Sequence, residues 1–400
     1  MNKNIKLAVA GAVLAMSASV ANAGIVIPAG DWTLDVNGNV NAFAIFGKAK
    51  DNATIDGGLA NKKDTAGESN GQGINTGLLP AWLGFTGTTR QNDTDVSFTI
   101  SMQPNVSDNT IAGDANAPLF RQANVTFGDK SWGSIKLGKD IGIFASNAIL
   151  NDMTLLGVGA GAAGSGGATT LGGIGSGYIY AGWKGQVAYT TPNFNGFTAT
   201  VGITNPNQGI VDNGASTPVT GLNQDRFGLE GQANYAFAAD NFSGKVWVGG
   251  ASYKVKTTSA IEYSATAADI GATVNAGNVG LTGYYYAGEG AGSYMFHSRG
   301  VSATGQKRDS DGGYIQATYV LPTKTKVGLA YGVSKLDLAT GESAANNTLF
   351  KENERTTFGL YHPLTKHLNL VAEYNNVESK AHGGNKNTSQ TGSLGAILFF

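Results

Sequence analysis

The sequence predicts an all-β fold, a membrane-spanning antiparallel barrel of about sixteen strands. Three observations predict it. The last nine residues alternate so that Leu394, Ala396, Leu398 and Phe400 share one face and an aromatic stands at the free carboxylate. Segments of the same period-two kind recur along the chain after residue 23. Their connections alternate between short and long, which a soluble sheet protein has no reason to do.

The ends set the boundaries. Residues 1–23 read as a cleaved export signal: Lys3 and Lys6 supply the positive start, Leu7–Met16 a short apolar core, and Ala21-Asn22-Ala23 the small-residue cleavage site. That core is too short to span a bilayer. The mature chain, residues 24–400, is expected to be one domain. Without Lys3 and Lys6 it carries 25 basic and 28 acidic residues, which argues against a nucleic-acid partner. Cysteine is absent, so disulfide and thiolate chemistry are excluded. Glycine, at 59 of 400 residues, is about twice its usual share of roughly 7%. No strongly apolar run of about twenty residues follows the signal. A closed barrel can still cross a bilayer, because closure pairs every backbone group.

The strands follow in order. In the first, Leu34, Val36, Val40, Ala42 and Ala44 alternate with Asp35, Asn37, Asn39 and Asn41. Further on, Val96, Phe98, Ile100 and Met102 alternate with Asp95, Ser97, Thr99 and Ser101. Near the end, Leu368, Leu370, Ala372 and Tyr374 alternate with Asn369, Val371 and Glu373. In a barrel, the apolar face meets lipid and the polar face lines water. Short connections fall at Gln91–Asp93, Gly128–Gly133, Pro192–Gly196, Ala238–Asn241, Gly277-Asn278, Pro322–Thr325 and Leu364–His367. Long ones fall at Gly47–Thr76, Pro104–Pro118, Lys139–Gly177, Asn205–Asn223, Lys256–Ser264, Glu289–Asp309, Leu338–Glu354 and Lys380–Thr388. This pattern places both termini on the short-turn side, where first and last strands pair.

Four segments resemble the Gram-negative general porin family. They are Ala81-Trp82-Leu83-Gly84-Phe85-Thr86-Gly87, Trp132–Lys139, Val187–Phe197 (with Tyr189-Thr190-Thr191-Pro192-Asn193-Phe194-Asn195-Gly196-Phe197) and His362-Pro363-Leu364-Thr365-Lys366. With the terminal Phe400, which matches the family's assembly signal, they cover the mature chain. The resemblance implies a homotrimer in the outer membrane of a Gram-negative bacterium, embedded in its lipids. It also implies passive diffusion of small solutes and ions, no cofactor, and a third long loop folded into the pore.

Members of that family oppose acidic residues on the inward loop with arginines on the wall. This sequence departs from the pattern. Trp82 and Ala188 stand where the family has basic residues, and Lys139 stands at its Gly-Arg position. The inward loop holds Asn147, Asp152, Met153, Leu155 and Leu156, then a Gly-rich tract over 157–177, with Asp152 its only acid. The expected constriction is therefore weakly charged, formed by Trp82, Lys139, Asp152, Tyr178 or Tyr180, and Ala188. Strand phase supports an inward Trp82, since Ala81, Leu83 and Phe85 make the better outward face. Arg226 and Glu230 share an inward phase and form a candidate pair on the wall. Tyr284 and Tyr286 have the phase opposite to Leu281 and Tyr285, which turns them toward the lumen.

Two alternatives stand beside a general channel. One is a substrate-selective channel for uncharged or amphipathic solutes on the same barrel. The other is an outer-membrane hydrolase, which needs a base within reach of a serine, and no Gly-x-Ser-x-Gly elbow lies beside one. Gly159–Gly164 matches a dinucleotide-binding glycine pattern but lacks the following amphipathic helix. His297, His362, His367 and His382 lack zinc-site spacing. Asp309-Ser310-Asp311 is a weak calcium motif.

Overall fold

The computed structural model describes residues 24–104, 106, 119–161, 169–206, 226–256 and 261–400. The expected signal segment, residues 1–23, lies outside the described residues, as does part of the Gly-rich tract. The strands are β1 Ile25–Ala29, β2 Trp32–Ala49, β3 Asn70–Asn75, β4 Trp82–Gln91, β5 Thr94–Gln103, β6 Leu119–Asp129, β7 Gly133–Ile141, β8 Trp183–Thr190 and β9 Phe197–Thr204. They continue as β10 Gly228–Ala239, β11 Phe242–Lys256, β12 Glu262–Ala276, β13 Val279–Glu289, β14 Asp309–Val320, β15 Lys326–Leu336, β16 Phe350–Pro363, β17 Leu368–Ala381 and β18 Lys386–Phe399.

Each strand from β4 onward pairs antiparallel with the next, and β18 pairs back onto β2, Phe399 facing Asn39. The result is a closed barrel of sixteen staves. Phe400 completes the seam: its N–H donates to the Gly38 carbonyl at 3.0 Å, and the Gly38 N–H donates back to the Phe400 carbonyl at 2.8 Å. The ladder from β4 through β18 back to β2 is continuous, so the ring avoids the unpaired edge that a bilayer would penalise. β1 forms a hairpin with the start of β2, beyond the stretch that β18 covers.

β3 and β4 together form one stave. Both pair with β2, at Phe43–Lys48 and Thr33–Asn39 respectively. Asn-Gly-Gln-Gly-Ile-Asn at 70–75 has almost no apolar alternation and by sequence falls within the long connection Gly47–Thr76. The backbone nonetheless pairs. Residues 76–81 interrupt the stave and fold inward. Pro80, which lacks an N–H, suits such a break. Asn39 and Asn41 hold it from β2 by donating to the Pro80 and Leu79 carbonyls, each at 2.9 Å.

The alternation sorts the wall as barrel physics requires. Val40 (54% exposed), Ile100 (48%) and Leu394 (62%) lie on the outer face. Asn39, Ser101 and Glu373 point inward and are buried. Tyr284 and Tyr286 are buried while Tyr285 is outward and exposed. The interior is partly filled: Phe144, Ala148, Ile149, Tyr178 and Ile179 pack against Trp247, Tyr253, Tyr284 and Tyr314 of the wall.

Candidate pore constriction

The filling comes mainly from the loop between β7 and β8, residues 142–182. It opens with helix α1, Ser146–Asn151, and a 3-10 turn, Met153–Leu156. The Asp152 carboxylate caps that turn, accepting from the Thr154 N–H at 2.9 Å. The loop lies along the wall from β10 to β17 and is fastened at successive points. At its start, Glu230 accepts from the N–H groups of Ile143 (2.7 Å) and Phe144 (3.1 Å). Along α1, Asn147 donates to Gln232 and Asn234, and Tyr314 donates to the Ala148 carbonyl at 2.8 Å. Past the helix, Gln316 accepts from the Met153 N–H and donates to the Asn151 carbonyl. Farther on, Glu373 accepts from the N–H groups of Val158 (2.9 Å) and Gly159 (2.8 Å) and from the Tyr361 hydroxyl (2.7 Å). Near the end, the Gly177 N–H donates to Ser334.

The inward break in the β3–β4 stave clasps the same loop from the other side. The Leu78 N–H donates to the Gly157 carbonyl at 2.9 Å. Two glycines make this approach possible: a Cβ on Gly77 would collide with the Gly157 carbonyl, and one on Gly157 with the Glu373 carboxylate.

The expected site residues divide into three groups. Trp82 and Asp152 line one interior cavity of about 600 Å³, together with Leu79, Leu150, Leu155 and Leu156. Trp82 faces inward, with its ring edge against Phe399 at 6.5 Å between centroids. Its Nε1 donates to Asn37 at 3.3 Å. Tyr178 and Ala188 are inside the barrel but covered, and Tyr180 is partly buried there. Tyr178 is fully buried and donates to Asp152 at 2.8 Å, so it braces the loop and meets no open space. The Tyr180 N–H is tied to Tyr294 of another inward loop. Ala188 is inward, opposite Lys136 and Gly202, and buried.

Two expectations are corrected. Lys139 is exposed and shares the outward phase of Leu137, and its ammonium donates to the Phe120 carbonyl at 2.9 Å. The inward charge of that strand is Asp140, paired with Lys136 at 2.5 Å. Arg226 and Glu230 are not each other's partners. Arg226 meets Glu262 at 3.2 Å, whereas buried Glu230 is neutralised by buried Lys184 at 2.6 Å and accepts from the Tyr253 hydroxyl. Phase alone gave Arg226 the wrong neighbour: it precedes the start of β10, and its partner Glu262 has the outward phase of β12, opposite to buried Tyr263.

Several residues that shape the lumen were not singled out from sequence. Arg355 is fully buried and lies 3.6 Å from Asp152. Glu373, Lys184 and Leu150 belong with it. Each inward charge has the right phase for the lumen, but nothing local tells which loop atoms it meets. Among the described residues, no group of three histidine, aspartate or glutamate side chains could hold a metal ion. Asp309-Ser310-Asp311 opens β14, and Ser310 donates to the Gly292 carbonyl.

A closed barrel with an apolar outer band and a loop fastened across its polar interior defines a membrane channel. The profile of the Gram-negative porin family matches residues 9–382. The chain belongs to that family, and its place is the bacterial outer membrane, where it forms a channel for passive diffusion. Similar solved structures include the outer-membrane channel DcaP of Acinetobacter baumannii, with a TM-score of 0.71 at 16% identity, covering 94% of this chain and all of that one. An anion-selective porin from Comamonas acidovorans gives 0.62 at 17% identity, covering 92% of this chain and all of that one. OmpF of Salmonella typhi gives 0.60 at 15% identity, covering 94% of this chain and all of that one. Comparison with curated protein sequences gives no match.

Proposed function

We propose that the chain, after loss of residues 1–23, assembles as a homotrimer of passive channels whose narrow zone favours uncharged and amphipathic solutes over bare ions. The observation that carries this reading is the pairing of the interior charges. Lys184 with Glu230, Lys136 with Asp140, and Asp152 with Arg355 form pairs at the wall and loop. The loop turns Leu150, Leu155 and Leu156 toward the cavity that Trp82 and Leu79 also line. Selectivity in a pore follows radius, lining charge and hydrogen-bonding groups at the narrowest point. Here the surface is largely apolar and these six charges sit in pairs, which weakens the field across it; Lys245 and Lys326 also line it, outside any such pair. The protein acts as a channel, with no catalytic step. Trimeric neighbours, including a trimer form of OmpT from Vibrio cholerae, support the oligomer.

Reversal potentials in a potassium chloride gradient, with liposome swelling in neutral solutes, test this. The expected result is a potassium-to-chloride permeability ratio within about fivefold of one, equivalent to about 1 kcal/mol of charge sorting. A ratio beyond about twentyfold in either direction refutes the reading.

A further inference from the structure

We infer that the cavity beneath the inward loop is a binding subsite for neutral saccharides, which set a hydroxyl edge against the wall and a C–H face against the loop. This names the solute class for the weakly charged passage and rests on that reading. Strand register builds a grid of polar side chains on four neighbouring staves, β11 to β14. In the row nearer the short turns, Ser243 faces Asn275, Asn275 faces Gly280, and Gly280 faces Thr318. In the next row, Lys245 faces Thr273, Thr273 faces Thr282, and Thr282 faces Gln316. Every one of them lines the cavity, and only Lys245 carries a charge. With strands about 4.8 Å apart, each row spans about 14 Å, enough for two linked sugar rings.

The rows differ in what they leave free. The second is bonded to itself and to the loop: Thr282 donates to Thr273 at 3.1 Å, Gln316 donates to Thr282 at 3.3 Å, and Gln316 holds the loop at Asn151 and Met153. The first row is open. Among the described residues, no hydrogen bond engages the Ser243 hydroxyl or the Asn275 amide, and the Thr318 hydroxyl makes only a 3.4 Å bond to the Gly280 carbonyl. Gly280 leaves a cradle between its neighbours. The point where a Cβ would stand lies 2.6 Å from the Thr318 hydroxyl oxygen and 3.0 Å from the Asn275 side-chain oxygen. A ligand hydroxyl entering there donates to Asn275 and accepts from Thr318.

The same cavity is lined by Leu79 and Trp82 of the broken stave and by Leu150, Leu155 and Leu156 of the loop, with Leu150 46% exposed. A pyranose ring carries hydroxyls around its edge and C–H groups on its faces, so it satisfies both surfaces. A bare ion gains nothing from the leucines, and a hydrocarbon leaves the open row without partners. The two lysines stand apart, Lys245 at the β11 side of the grid and Lys326 on β15 beyond it. Lys245 is engaged by the Asn147 side chain at 2.8 Å, and Lys326 lies 5.1 Å from the centre of the Tyr361 ring. Either ammonium can donate to a sugar hydroxyl, which needs no opposite charge.

The test titrates the potassium chloride current of the mature protein in planar bilayers. The probes are maltose, a polyethylene glycol of equal hydrodynamic radius, methyl glucoside and methyl glucuronide. Maltose should reduce the current saturably, with half effect in the millimolar range, while the glycol reduces it only in proportion to its concentration. Gly280→Ala fills the cradle, and Ser243→Ala/Asn275→Ala strips the open row. Each should raise the half-effect concentration of maltose about tenfold, the loss of one to two neutral hydrogen bonds. Should the variants fail to fold, the wild type still decides, by maltose against the glycol and glucoside against glucuronide. Equal effects of maltose and the glycol, or an undiminished maltose effect in both folded variants, overturns the subsite. So does a glucuronide that acts at more than about tenfold lower concentration than the glucoside, which assigns the cavity to charge. The parent reading fails separately, on the potassium-to-chloride ratio.

Discussion

Glu373→Ala tests whether the inward loop is held by discrete fastenings. Glu373 is 4% exposed and its carboxylate accepts four hydrogen bonds, two of them from the backbone N–H groups of Val158 and Gly159. A hydrogen bond to a charged acceptor contributes about 1.5–3 kcal/mol net, so the two loop bonds contribute about 3–6 kcal/mol. Water entering the vacated space offsets part of this, and we expect a loss of about 3 kcal/mol. At about 1.4 kcal/mol per decade, that raises the local opening equilibrium about a hundredfold. Hydrogen exchange on the detergent-purified protein reads this directly. The Val158 and Gly159 amides should exchange about a hundredfold faster. Strand amides of β11 and β12 should be unchanged, because their ladder is intact. Glu373→Gln keeps a neutral acceptor and should cost about 1–2 kcal/mol. Unchanged protection at 158–159 in a folded Glu373→Ala protein would refute the fastening argument.

Other expectations concern separate parts of the molecule. Asp152→Asn removes the charge opposite buried Arg355 and should loosen the segment around Gly173 by about 3 kcal/mol, read by the same exchange measurement; a double-mutant cycle with Arg355→Met should show strong coupling. Trp82→Ala should raise single-channel conductance and speed swelling in neutral sugars; an unchanged conductance places the narrowest point elsewhere. Deleting Phe400 removes both bonds to Gly38 and should cut the yield of heat-resistant barrel, measured by gel shift. His297, in the inward loop after β13, is held down to about 3 by burial and, secondarily, by Lys184. Its neutral form stabilises the fold above its ordinary value near 6.5, and that contribution is lost progressively as pH falls from there toward 3. Acidification from pH 7 to 4 should therefore increase open-channel noise, and His297→Gln should flatten that dependence.

The barrel was legible because each strand states its two faces locally. Val40, Ile100 and Leu370 needed only period two to be assigned to lipid. The β3 segment was not legible, since Gly71 and Gly73 leave one of its two faces almost without side chains to alternate. The site was half legible. Phase turned Trp82 inward correctly. Lys139 was read from its position at the end of a family motif, and its strand phase points it outward instead. Arg355 and Glu373 are single inward charges whose meaning depends on a loop some 200 positions earlier. No local pattern encodes such a meeting. The expectation of low charge rested on Trp82 and Ala188 at the family's basic positions and on the lone acid Asp152, whereas the pairing of Asp152 with Arg355 is a property of the closed ring.

The distances along the chain have a consequence for assembly. Asp152 finds Arg355, and Val158 finds Glu373, only when the final staves exist. A partly inserted sheet therefore holds the strap only by its fastenings to β10 and β14. Sealing the cylinder and completing the strap's last fastenings therefore draw on the same strands. The polypeptide measures its own bore last.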